Sequence, residues 1–343
     1  MPRTVVILHP GGLGDLLLAV PAIHGLRERF CSHQLLLCGQ DEPSRFLAEC
    51  GLVDRSVSFQ TTACTALFGG RRPDDPSFVD CLSRCDCAVA WTGDESGILR
   101  DALKRCGVAV AVVQSPFDPT LTGAHQSERY AEVANVQLPS ITRLSLPEAL
   151  KAEARVHLAR VATGKRPVAL IHPGSGSRHK CVKPELLLPV LEGLEAEGFA
   201  PLLLQGPADE AMIERLLLQL PRHPIVFRGL PLRLLAGLLS QVELYVGHDS
   251  GVTHLAALVE TPTVALFGPT DPARWAPRGP VVTVVKEKPC GCSTWDAVRH
   301  CQEKPCLDLS PRTIWSTCLT TWHRRAKPSN LLSRALSPPS ALC

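Results

Sequence analysis

Short apolar runs, partly of β-branched residues, alternate with longer helical patterns along most of the chain. A short apolar run indicates a strand, and apolar residues three to four positions apart indicate a helix. The first half predicts strands at Thr4–Leu8, Gln34–Cys38, Val53–Phe59, Cys87–Trp91 and Val108–Val113, and helices at Leu13–Phe30, Glu42–Cys50, Pro76–Arg84 and Glu95–Cys106. The second half predicts strands at Val168–His172, Pro201–Gln205, Ile225–Arg228, Leu244–Val246 and Thr263–Phe267, and helices at Pro184–Glu197, Asp209–Leu220, Leu230–Gln241 and Gly251–Val259. This alternation is typical of parallel sheets built from βαβ units.

Proline and glycine residues mark several of these boundaries. Pro184 suits the first position of a helix, and Gly198 suits the left-handed residue just past a helix end. Pro21 lies inside the first predicted helix, where its missing N–H removes a hydrogen bond and its ring crowds the preceding turn. We therefore expect the first helix to kink or restart at Pro21.

The repeated pattern and the length of 343 residues predict two domains, since a domain averages about 150 residues. We expect an α/β fold with two Rossmann-like, doubly wound parallel-sheet domains. Two such domains facing each other would leave a cleft between the carboxyl ends of their strands, which is where α/β sheets bind ligands. The predicted segments are an N-terminal domain over 1–150, a linker over 151–165, a C-terminal domain over 166–310, a helix over 311–325 and a disordered basic tail over 326–343.

Composition and charge exclude several classes of protein. Hydrophobic residues make up 45% of the chain and charged residues 20%, as in ordinary globular proteins. The net charge of +3 is too small for a dedicated nucleic-acid-binding protein. The excess is local, because residues 311–343 contain no acid and five bases, namely Arg312, Arg324, Arg325, Lys327 and Arg334.

Cysteine usage and the N-terminus predict a cellular compartment. The fifteen cysteines are odd in number and lack a framework spacing, which favours reduced thiols over the disulfides of a secreted protein. The N-terminus lacks the apolar segment of a signal peptide, and no apolar run approaches the ~18–20 residues of a membrane span. We expect a cytoplasmic protein.

The first candidate site follows the first strand, in the segment HPGGLGD at residues 9–15. Gly12 and Gly14 permit a tight turn and the close approach of a ligand. A dinucleotide fingerprint would need a third glycine where Leu17 stands. Asp15 suits the removal of a proton from a hydroxyl, or it caps the helix, and this segment alone leaves both interpretations open.

Two strand ends in the second half carry further polar residues. The segment HPGSGSRHKCVKP at 172–184 contains Arg178, Lys180 and Lys183, which could present positive charge to a phosphate or form an ordinary basic loop. The segment LQGPADE at 204–210 ends a strand at Gly206 and starts a helix with the acids Asp209 and Glu210, which could accept hydrogen bonds from a ribose or base. An acidic residue in a first helical turn is also favoured by the helix dipole alone.

The strongest local signal is YVGHDSGVTHLAA, at residues 245–257. A strand, a short polar turn and a helix place the N–H groups of residues 250–253 at a helix N-terminus, which suits a diphosphate. Asp249 could be only an N-cap, and His254 could be an ordinary core histidine.

In this order and spacing, the segments resemble glycosyltransferase family 9, the bacterial heptosyltransferase family. The matching parts are LGD at 13–15 with the following helix, HPGSGS at 172–177 with a downstream lysine, GPADE at 206–210, and GHDSG at 247–251 through FGPTDP at 267–272. The resemblance covers residues 4–30 and nearly all of 166–280, whereas residues 31–160 match mostly in pattern.

The resemblance implies a GT-B architecture, with the acceptor bound by the first domain and the donor mainly by the second. Asp15 would be the catalytic base, beside the glycine turn at Gly12 and Gly14. The residues implied for the donor and its phosphates are Ser175, Lys180, Lys183, Gly206, Glu210, Asp249, Ser250, Gly251, Val252 and His254. The implied reaction is inverting transfer of a sugar, heptose from an ADP-heptose-like donor, to a lipid-linked saccharide acceptor of the lipopolysaccharide-core type. We expect no metal and no other cofactor, since the chain contains no Asp-x-Asp pair, and no nucleic-acid partner.

The chain departs from the family pattern after the second motif. The family commonly has a lysine, one residue, an aromatic residue and a proline, whereas KCVKP at 180–184 has no aromatic residue and one residue more. Either Lys180 or Lys183 can therefore be the phosphate lysine. We favour Lys180, because Lys183 abuts the proline that starts the next helix.

Two features near the C-terminus have alternative interpretations. Four thiols, at Cys290, Cys292, Cys301 and Cys306, could bind zinc, but their spacing lacks two C-x2-4-C pairs. The apolar stripe from Ile314 to Trp322 predicts a helix packed on the core. The basic end of this helix could contact anionic lipid at the inner face of the plasma membrane.

Two other functions fit parts of the pattern. A nucleotide-dependent oxidoreductase could use the turn at residues 12–15 together with Asp41, although its third glycine is missing. A noncatalytic module that binds a nucleotide sugar or a glycan would have the same donor site, so only turnover separates it from an enzyme.

Overall fold

The computed structural model describes residues 2–161, 164 and 166–325. The chain divides into two compact units, Met1–Pro147 and Glu148–Cys343. The predicted tail at 326–343 and part of the predicted linker lie outside the described residues. Residues 151–160 of that linker belong to a helix.

The first unit is a parallel sheet flanked by helices. Its strands are β1 (Thr4–His9), β2 (Gln34–Gly39), β3 (Arg55–Ser58), β4 (Cys85–Ala90) and β5 (Val110–Val113). Its helices are α1 (Leu13–Arg29), α2 (Asp41–Glu49), α3 (Thr62–Phe68), α4 (Pro76–Ser83), α5 (Ile98–Arg105) and α6 (Gln126–Ala134). The strand order is β3-β2-β1-β4-β5, and every pairing is parallel. Residues Val5 to Leu8 of β1 have no exposed surface, as expected for a central strand covered on both faces.

The second unit repeats this plan with six strands. They are β6 (Val168–His172), β7 (Ala200–Gln205), β8 (Val226–Arg228), β9 (Leu244–His248), β10 (Thr263–Leu266) and β11 (Val282–Val285). The helices are α7 (Glu148–Arg160), α8 (Leu188–Ala196), α9 (Glu210–Leu217), α10 (Leu232–Leu239), α11 (Gly251–Leu258), α12 (Pro272–Trp275), α13 (Trp295–His300) and α14 (Pro311–Arg325). The strand order is β11-β10-β9-β6-β7-β8, again all parallel. The predicted α/β class with two parallel-sheet domains is confirmed.

The structure differs from the prediction at two prolines. α1 runs through Pro21 without restarting, because the burial of ten residues of this helix offsets the single lost hydrogen bond. Pro184 starts a short 3-10 turn, Pro184–Leu186, and α8 begins only at Leu188. Gly198 does adopt the predicted left-handed conformation, with φ of 88°.

The C-terminal helix packs on the second unit through the predicted stripe. Ile314 and Cys318 are fully buried. The Trp322 ring meets Phe199 edge-on with centroids 4.9 Å apart. Trp315 lies so close to Gly193 of α8 that a Cβ there would be 2.5 Å from the indole. Among the described residues, no helix combines the length and apolarity needed to cross a bilayer.

Candidate functional site

Each sheet has one position where the strand order reverses. In the first unit the reversal falls between β1 and β4, and in the second unit between β6 and β9. Ligands of open α/β sheets bind outside the carboxyl ends of the strands at such positions. The predicted site residues follow β1 in the first unit and mainly β6 and β9 in the second, so the topology places them where ligands are expected.

A buried charged cluster follows β9. The Asp249 carboxylate lies 2.8 Å from the Lys180 ammonium and 3.8 Å from Nε2 of His254. Burial alone would raise the pKa of Asp249, but the His254 hydrogen bond and the positive charge of Lys180 outweigh it and lower the pKa to about 2. Asp249 is therefore ionised at neutral pH and holds Lys180 beside the start of α11.

The N-terminus of α11 is capped by Ser250, so Asp249 is not the N-cap. Ser250 has an extended backbone, and its hydroxyl accepts a hydrogen bond of 3.4 Å from the N–H of Thr253. Gly251 and Val252, the first two helical residues, stand where a helix leaves its N–H groups without intrahelical acceptors. The N–H groups of Gly251 and Val252 are therefore the candidates for binding an anion, whereas the N–H of Thr253 is bonded to the cap.

Ser175 and His248 hold the loop after β6 against β9. The Ser175 hydroxyl donates 2.9 Å to the Asp249 carbonyl. His248 accepts 3.0 Å from the Val182 N–H at Nε2, so its proton is on Nδ1, which lies 3.3 Å from the Gly174 carbonyl. Burial, the largest cause, lowers the pKa of His248 to about 4, so it stays neutral. The loop that carries Lys180 is thus anchored on both sides.

A second buried histidine–aspartate pair lies close to this loop, and the sequence interpretation did not predict it. His172 Nε2 lies 2.8 Å from an Asp209 carboxylate oxygen that also accepts 2.8 Å from the Gly206 N–H. Burial would raise the pKa of Asp209, but its bonds to His172 and to backbone N–H groups lower it. Tyr245 OH lies 3.4 Å from His172 Nδ1 and 3.2 Å from the Thr253 hydroxyl, which extends the network to α11. His172 is the last residue of β6, and Asp209 follows the neighbouring strand β7. Their positions at the ends of two predicted strands were the only sequence feature that could have indicated this contact.

Two predicted donor residues stand apart from these buried clusters. Lys183 is exposed and precedes the 3-10 turn Pro184–Leu186. Glu210 is exposed at the first position of α9. Lys180 is thus the one of the two lysines whose ammonium reaches the start of α11, and it also lies 5.8 Å from the ring centroid of Trp295.

The first unit presents Asp15 at the start of α1. Gly12 is the N-cap and is exposed, and no side chain caps it. Gly14 and Asp15 are the second and third residues of α1, and both are partly buried. Gly11 allows the carboxylate to pack closely, because a Cβ there would lie 3.2 Å from Asp15 Oδ2 and 2.8 Å from the His9 ring.

A cavity of about 170 Å³ adjoins Asp15 at this switch point. Its walls include the buried rings of His9, Trp91 and Tyr130 and the half-exposed ring of Phe117. His9 Nε2 lies 3.3 Å from Tyr130 OH, and the Trp91 N–H donates 3.1 Å to the Tyr130 carbonyl. Burial lowers the pKa of His9 to about 4. Burial first, and then the Asp15 charge, raise the pKa of Tyr130. At neutral pH both rings are therefore uncharged.

A larger cavity of about 630 Å³ lies elsewhere in the second unit. Its walls include Ala200 and Pro201 at the amino end of β7 and Ile225 just before β8. This is the opposite end of the strands from the charged clusters. Because ligands of parallel sheets bind at the carboxyl ends, size alone does not make this cavity the site.

Comparison with known families identifies the family to which the chain belongs. Residues 105–306, more than half of the chain, match the profile of glycosyltransferase family 9 (heptosyltransferase). The chain belongs to this family. The matched range contains all of the second-unit clusters, and the family resemblance read from the motifs is confirmed.

Relatives and solved structures agree with the family. Lipopolysaccharide heptosyltransferase 3 of Escherichia coli is 30% identical over 140 residues, which cover 40% of this chain and 41% of that protein. The family 9 glycosyl transferase of Veillonella parvula superposes with a TM-score of 0.74 at 17% identity, over 94% of this chain and 97% of that one. The E. coli ADP-heptose lps heptosyltransferase II gives 0.72 at 16% identity, over 94% and 100%. At these identities the solved structures establish the shared fold.

The four C-terminal cysteines of this family 9 chain lie near one another. Burial first, and then the neighbouring thiols Cys290 and Cys301, raise the pKa of Cys292 to about 11, and burial with Cys290 raises that of Cys306 to about 11. Both are therefore protonated thiols at neutral pH as long as no metal ion is bound, because a metal ion displaces the proton of a thiol that it binds. In the described part of the chain, no group of three or more His, Cys, Asp or Glu side chains is arranged to hold a metal ion. One structure of similar fold, E. coli TibC, is an iron-containing heptosyltransferase, with a TM-score of 0.57 and 14% identity.

Proposed function

We propose that this chain is an inverting glycosyltransferase that transfers a heptose from an ADP-heptose-like donor to a saccharide of the lipopolysaccharide-core type. The observation that carries the proposal is the cluster of Asp249, Lys180 and the first turn of α11, at the switch point of the unit that dominates the family match. Relatives named as heptosyltransferases, one of them for ADP-heptose, support this donor class.

The second unit supplies the charge that a nucleotide diphosphate needs. The N–H groups of Gly251 and Val252 and the ammonium of Lys180 would bind the diphosphate oxygens. Asp249 keeps Lys180 in place before the donor arrives, so little reorganisation is needed. Glu210, exposed beside Gly206, is our candidate for the ribose hydroxyls.

In the proposed reaction, Asp15 removes the proton from the acceptor hydroxyl. The acceptor oxygen then forms a bond to the anomeric carbon as the bond from that carbon to the diphosphate breaks on the opposite face. The configuration at this carbon inverts, the proton stays on Asp15, and the nucleoside diphosphate leaves with the bonding electron pair. Lys180 and the α11 amides stabilise the charge that develops on this leaving group, which is the largest electrostatic requirement of the step.

We propose that transfer needs no metal ion, because a lysine and helix amides are available for the diphosphate charge. Transfer that persists in excess chelator agrees with this proposal. Activity that chelator abolishes and a metal ion restores would contradict it.

The alternative function, a nucleotide-dependent oxidoreductase, requires NAD binding. Absence of NAD binding in calorimetry would exclude it.

The decisive experiment measures release of ADP from ADP-heptose in the presence of a truncated core saccharide. We expect turnover by the wild type and a loss of at least ~100-fold in Asp15→Asn, because general base catalysis typically contributes 10²–10⁴-fold. ADP binding should stay within about twofold in this variant, since Asp15 is in the other unit from the diphosphate site. ADP binding without any turnover would instead support the noncatalytic binding module.

A further inference from the structure

Lys304 is a partly buried lysine whose ammonium has no carboxylate beside it. The ammonium lies 2.9 Å from Nδ1 of His179, and no acid of the described chain forms an ion pair with it. Burial first, and then the positive charge of Lys304, lower the pKa of His179, so the imidazole is neutral at neutral pH and accepts this hydrogen bond. A positive charge that is partly withdrawn from water is usually paired with a negative one. The charge of Lys304 is therefore left uncompensated.

The backbone of Lys304 is also strained. It adopts φ of 45° and ψ of 57°, in the left-handed region that residues other than glycine, asparagine and aspartate seldom occupy. Strain of this kind persists only where the surrounding structure holds it, and it is concentrated at ligand-binding and active sites. The strained backbone and the uncompensated charge are two independent observations at one residue, and both point to a ligand.

Helix α13 brings a second cation to the same place. Trp295 and Arg299 are four residues apart and therefore share one face of α13. The Lys180 ammonium lies 5.8 Å from the centroid of the Trp295 ring, so this face meets the short 3-10 turn Arg178–Lys180. The charges of Arg178 and Arg299 contribute to the lowered pKa of His179, which places both guanidinium groups near this imidazole. Both arginines are exposed, and neither side chain has a hydrogen bond or an ion pair to the described residues.

The acidic residues of this segment do not neutralise these cations. Asp296 lies 3.5 Å from His300, and both side chains are exposed. Glu303 is exposed and forms no ion pair with any part of the chain that the structure describes. We call the three cations around His179 the Lys304 cluster; its members are Arg178, Arg299 and Lys304.

The Lys304 cluster is separate from the proposed diphosphate site. Consecutive residues of a 3-10 helix point about 120° apart, because one turn contains three residues. Accordingly, His179 points to Lys304, whereas Lys180 points to Asp249 beside the start of α11. An anion on the Lys304 cluster would thus lie next to the donor phosphates and would not replace them.

We propose that the Lys304 cluster binds a phosphate group other than those of the donor, namely a phosphomonoester carried by a saccharide. Amino and guanidinium groups from three side chains suit a phosphomonoester, which has three terminal oxygens and a charge of about −1.5 to −2. A carboxylate offers only two oxygens and a single charge. The partly exposed ring of Trp295, on the same face as Arg299, provides a surface on which the sugar can pack. Transfer of a sugar from the donor does not itself require this group, so the site stands independently of the proposed function.

Calorimetry with mannose 6-phosphate and mannose tests the proposal on the full chain, with saturating ADP and without ADP. The two probes share a ring and differ by the phosphate. We expect mannose 6-phosphate to bind in both conditions, and mannose to bind at least roughly tenfold more weakly, because charge-assisted hydrogen bonds are strong. Inorganic phosphate, titrated in the same way, should bind more weakly than mannose 6-phosphate, since it lacks the sugar.

Lys304→Asn should weaken mannose 6-phosphate roughly tenfold or more, because it removes a charged hydrogen-bond donor. Asparagine adopts the left-handed backbone more readily than lysine, so this variant should fold. The matched control is Lys288→Asn, which removes the same charge from a lysine of the same segment that is paired with the exposed Asp308. The control should change the affinity less than about twofold. Arg299→Gln, at an exposed position, repeats the test without altering the strained backbone.

The outcomes separate this inference from the proposed function. Competition between ADP and mannose 6-phosphate, or an affinity unchanged in both Lys304→Asn and Arg299→Gln, overturns the inference. A loss of ADP affinity in Lys304→Asn that equals the loss for mannose 6-phosphate also overturns it, because the residue then only supports the loop. Equal or tighter binding of inorganic phosphate overturns the saccharide ligand. Binding of mannose 6-phosphate to a chain that does not bind ADP leaves the inference standing and removes the proposed function.

Discussion

Lys180 and Lys183 differ by three positions in the sequence but have different surroundings. Lys180 forms the ion pair with the buried Asp249, and Lys183 is exposed. We expect Lys180→Ala to weaken ADP binding roughly 10- to 100-fold, because a hydrogen bond to a charged group contributes ~1.5–3 kcal/mol. Lys183→Ala is the matched control and should stay within about twofold in calorimetry. A larger loss in Lys183→Ala would transfer the phosphate role to that lysine.

The lowered pKa of Asp249 leads to a prediction about how the free energy of unfolding depends on pH. Its pKa is lowered from 3.8 to about 2 in the folded chain, so its contribution is fully present above pH ~4 and is lost as the pH falls through 2. This lowered pKa corresponds to ~2 kcal/mol of unfolding free energy, of which about half is lost at pH 3. The difference in unfolding free energy between wild type and Asp249→Asn, from urea titrations, should therefore shrink between pH 5 and pH 3. A difference independent of pH would show that the pair with Lys180 does not hold the carboxylate ionised.

The candidate site residues that the sequence predicted are those that can be recognised from their immediate neighbours in the chain. Asp249 and Ser250 stand between an apolar strand and a helix, and Asp15 follows a glycine turn, so pattern alone locates them. The pair of His172 and Asp209 was missed because the partners are far apart in sequence and only strand pairing brings them together. Asp209 follows a strand and precedes a helix, a position where the helix dipole alone favours an exposed acidic residue. Only its burial in the structure distinguishes it from such a surface residue.

At the scale of elements, the Asp209 carboxylate links the segments that follow β6 and β7. A Cβ on Gly174 would lie 1.8 Å from Asp209 Oδ1, whereas a Cβ on Gly176 would meet nothing within 4 Å. We expect Gly174→Ala to lower the unfolding free energy by ~1–3 kcal/mol, because it must displace a buried charge or the loop. Gly176→Ala, two positions away in the same loop, should change it by less than ~0.5 kcal/mol.

Thermal and urea unfolding of both variants checks this expectation. Gly174→Ala should also weaken ADP binding, since the displaced loop carries Lys180 and contacts His248. Equal stability of the two variants would mean that the Asp209 pair can shift without cost.

Among the described strands, the sequence located every continuously buried strand and three of the four edge strands, and it missed the edge strand β11. β1 and β9 are covered on both faces and read as unbroken apolar runs, so the sequence located them. β11 lies at the edge of its sheet and is only partly buried, and its valines follow the turn-rich segment APRGP at 276–280, after which the sequence was not interpreted as a strand. Two helices of the first unit, α3 and α6, were also missed, because each is short and follows a segment rich in turn residues.

At the scale of the whole molecule, the two units follow one rule. In each, the sheet order reverses beside the first strand of the unit, and the polar residues that follow that strand lie at the reversal. A sequence that shows two series of βαβ units, each with a glycine-rich turn after its first strand, therefore predicts two ligand positions. It does not reveal the aromatic walls beside Asp15, because Trp91, Phe117 and Tyr130 come from three separate segments.

The uneven charge of the whole chain leads to a prediction about membranes. Residues 311–343 hold five basic residues without an acid, and we expect this end to bind anionic lipid, at ~1 kcal/mol per basic residue near the surface. Anionic vesicles of phosphatidylcholine with about 30% phosphatidylglycerol should sediment the chain at low salt. Vesicles of pure phosphatidylcholine should not.

Charge reversal at the C-terminal end tests whether this binding is local. Arg324→Glu combined with Lys327→Glu should reduce sedimentation at least tenfold, since four units of charge change near the lipid. The control reverses two arginines exposed elsewhere, Arg45→Glu with Arg222→Glu, and changes the net charge equally. If the control loses binding to the same extent, attraction of the whole molecule explains the result. If neither variant loses binding, the basic end has no part in it, and lipid contact must come from another surface.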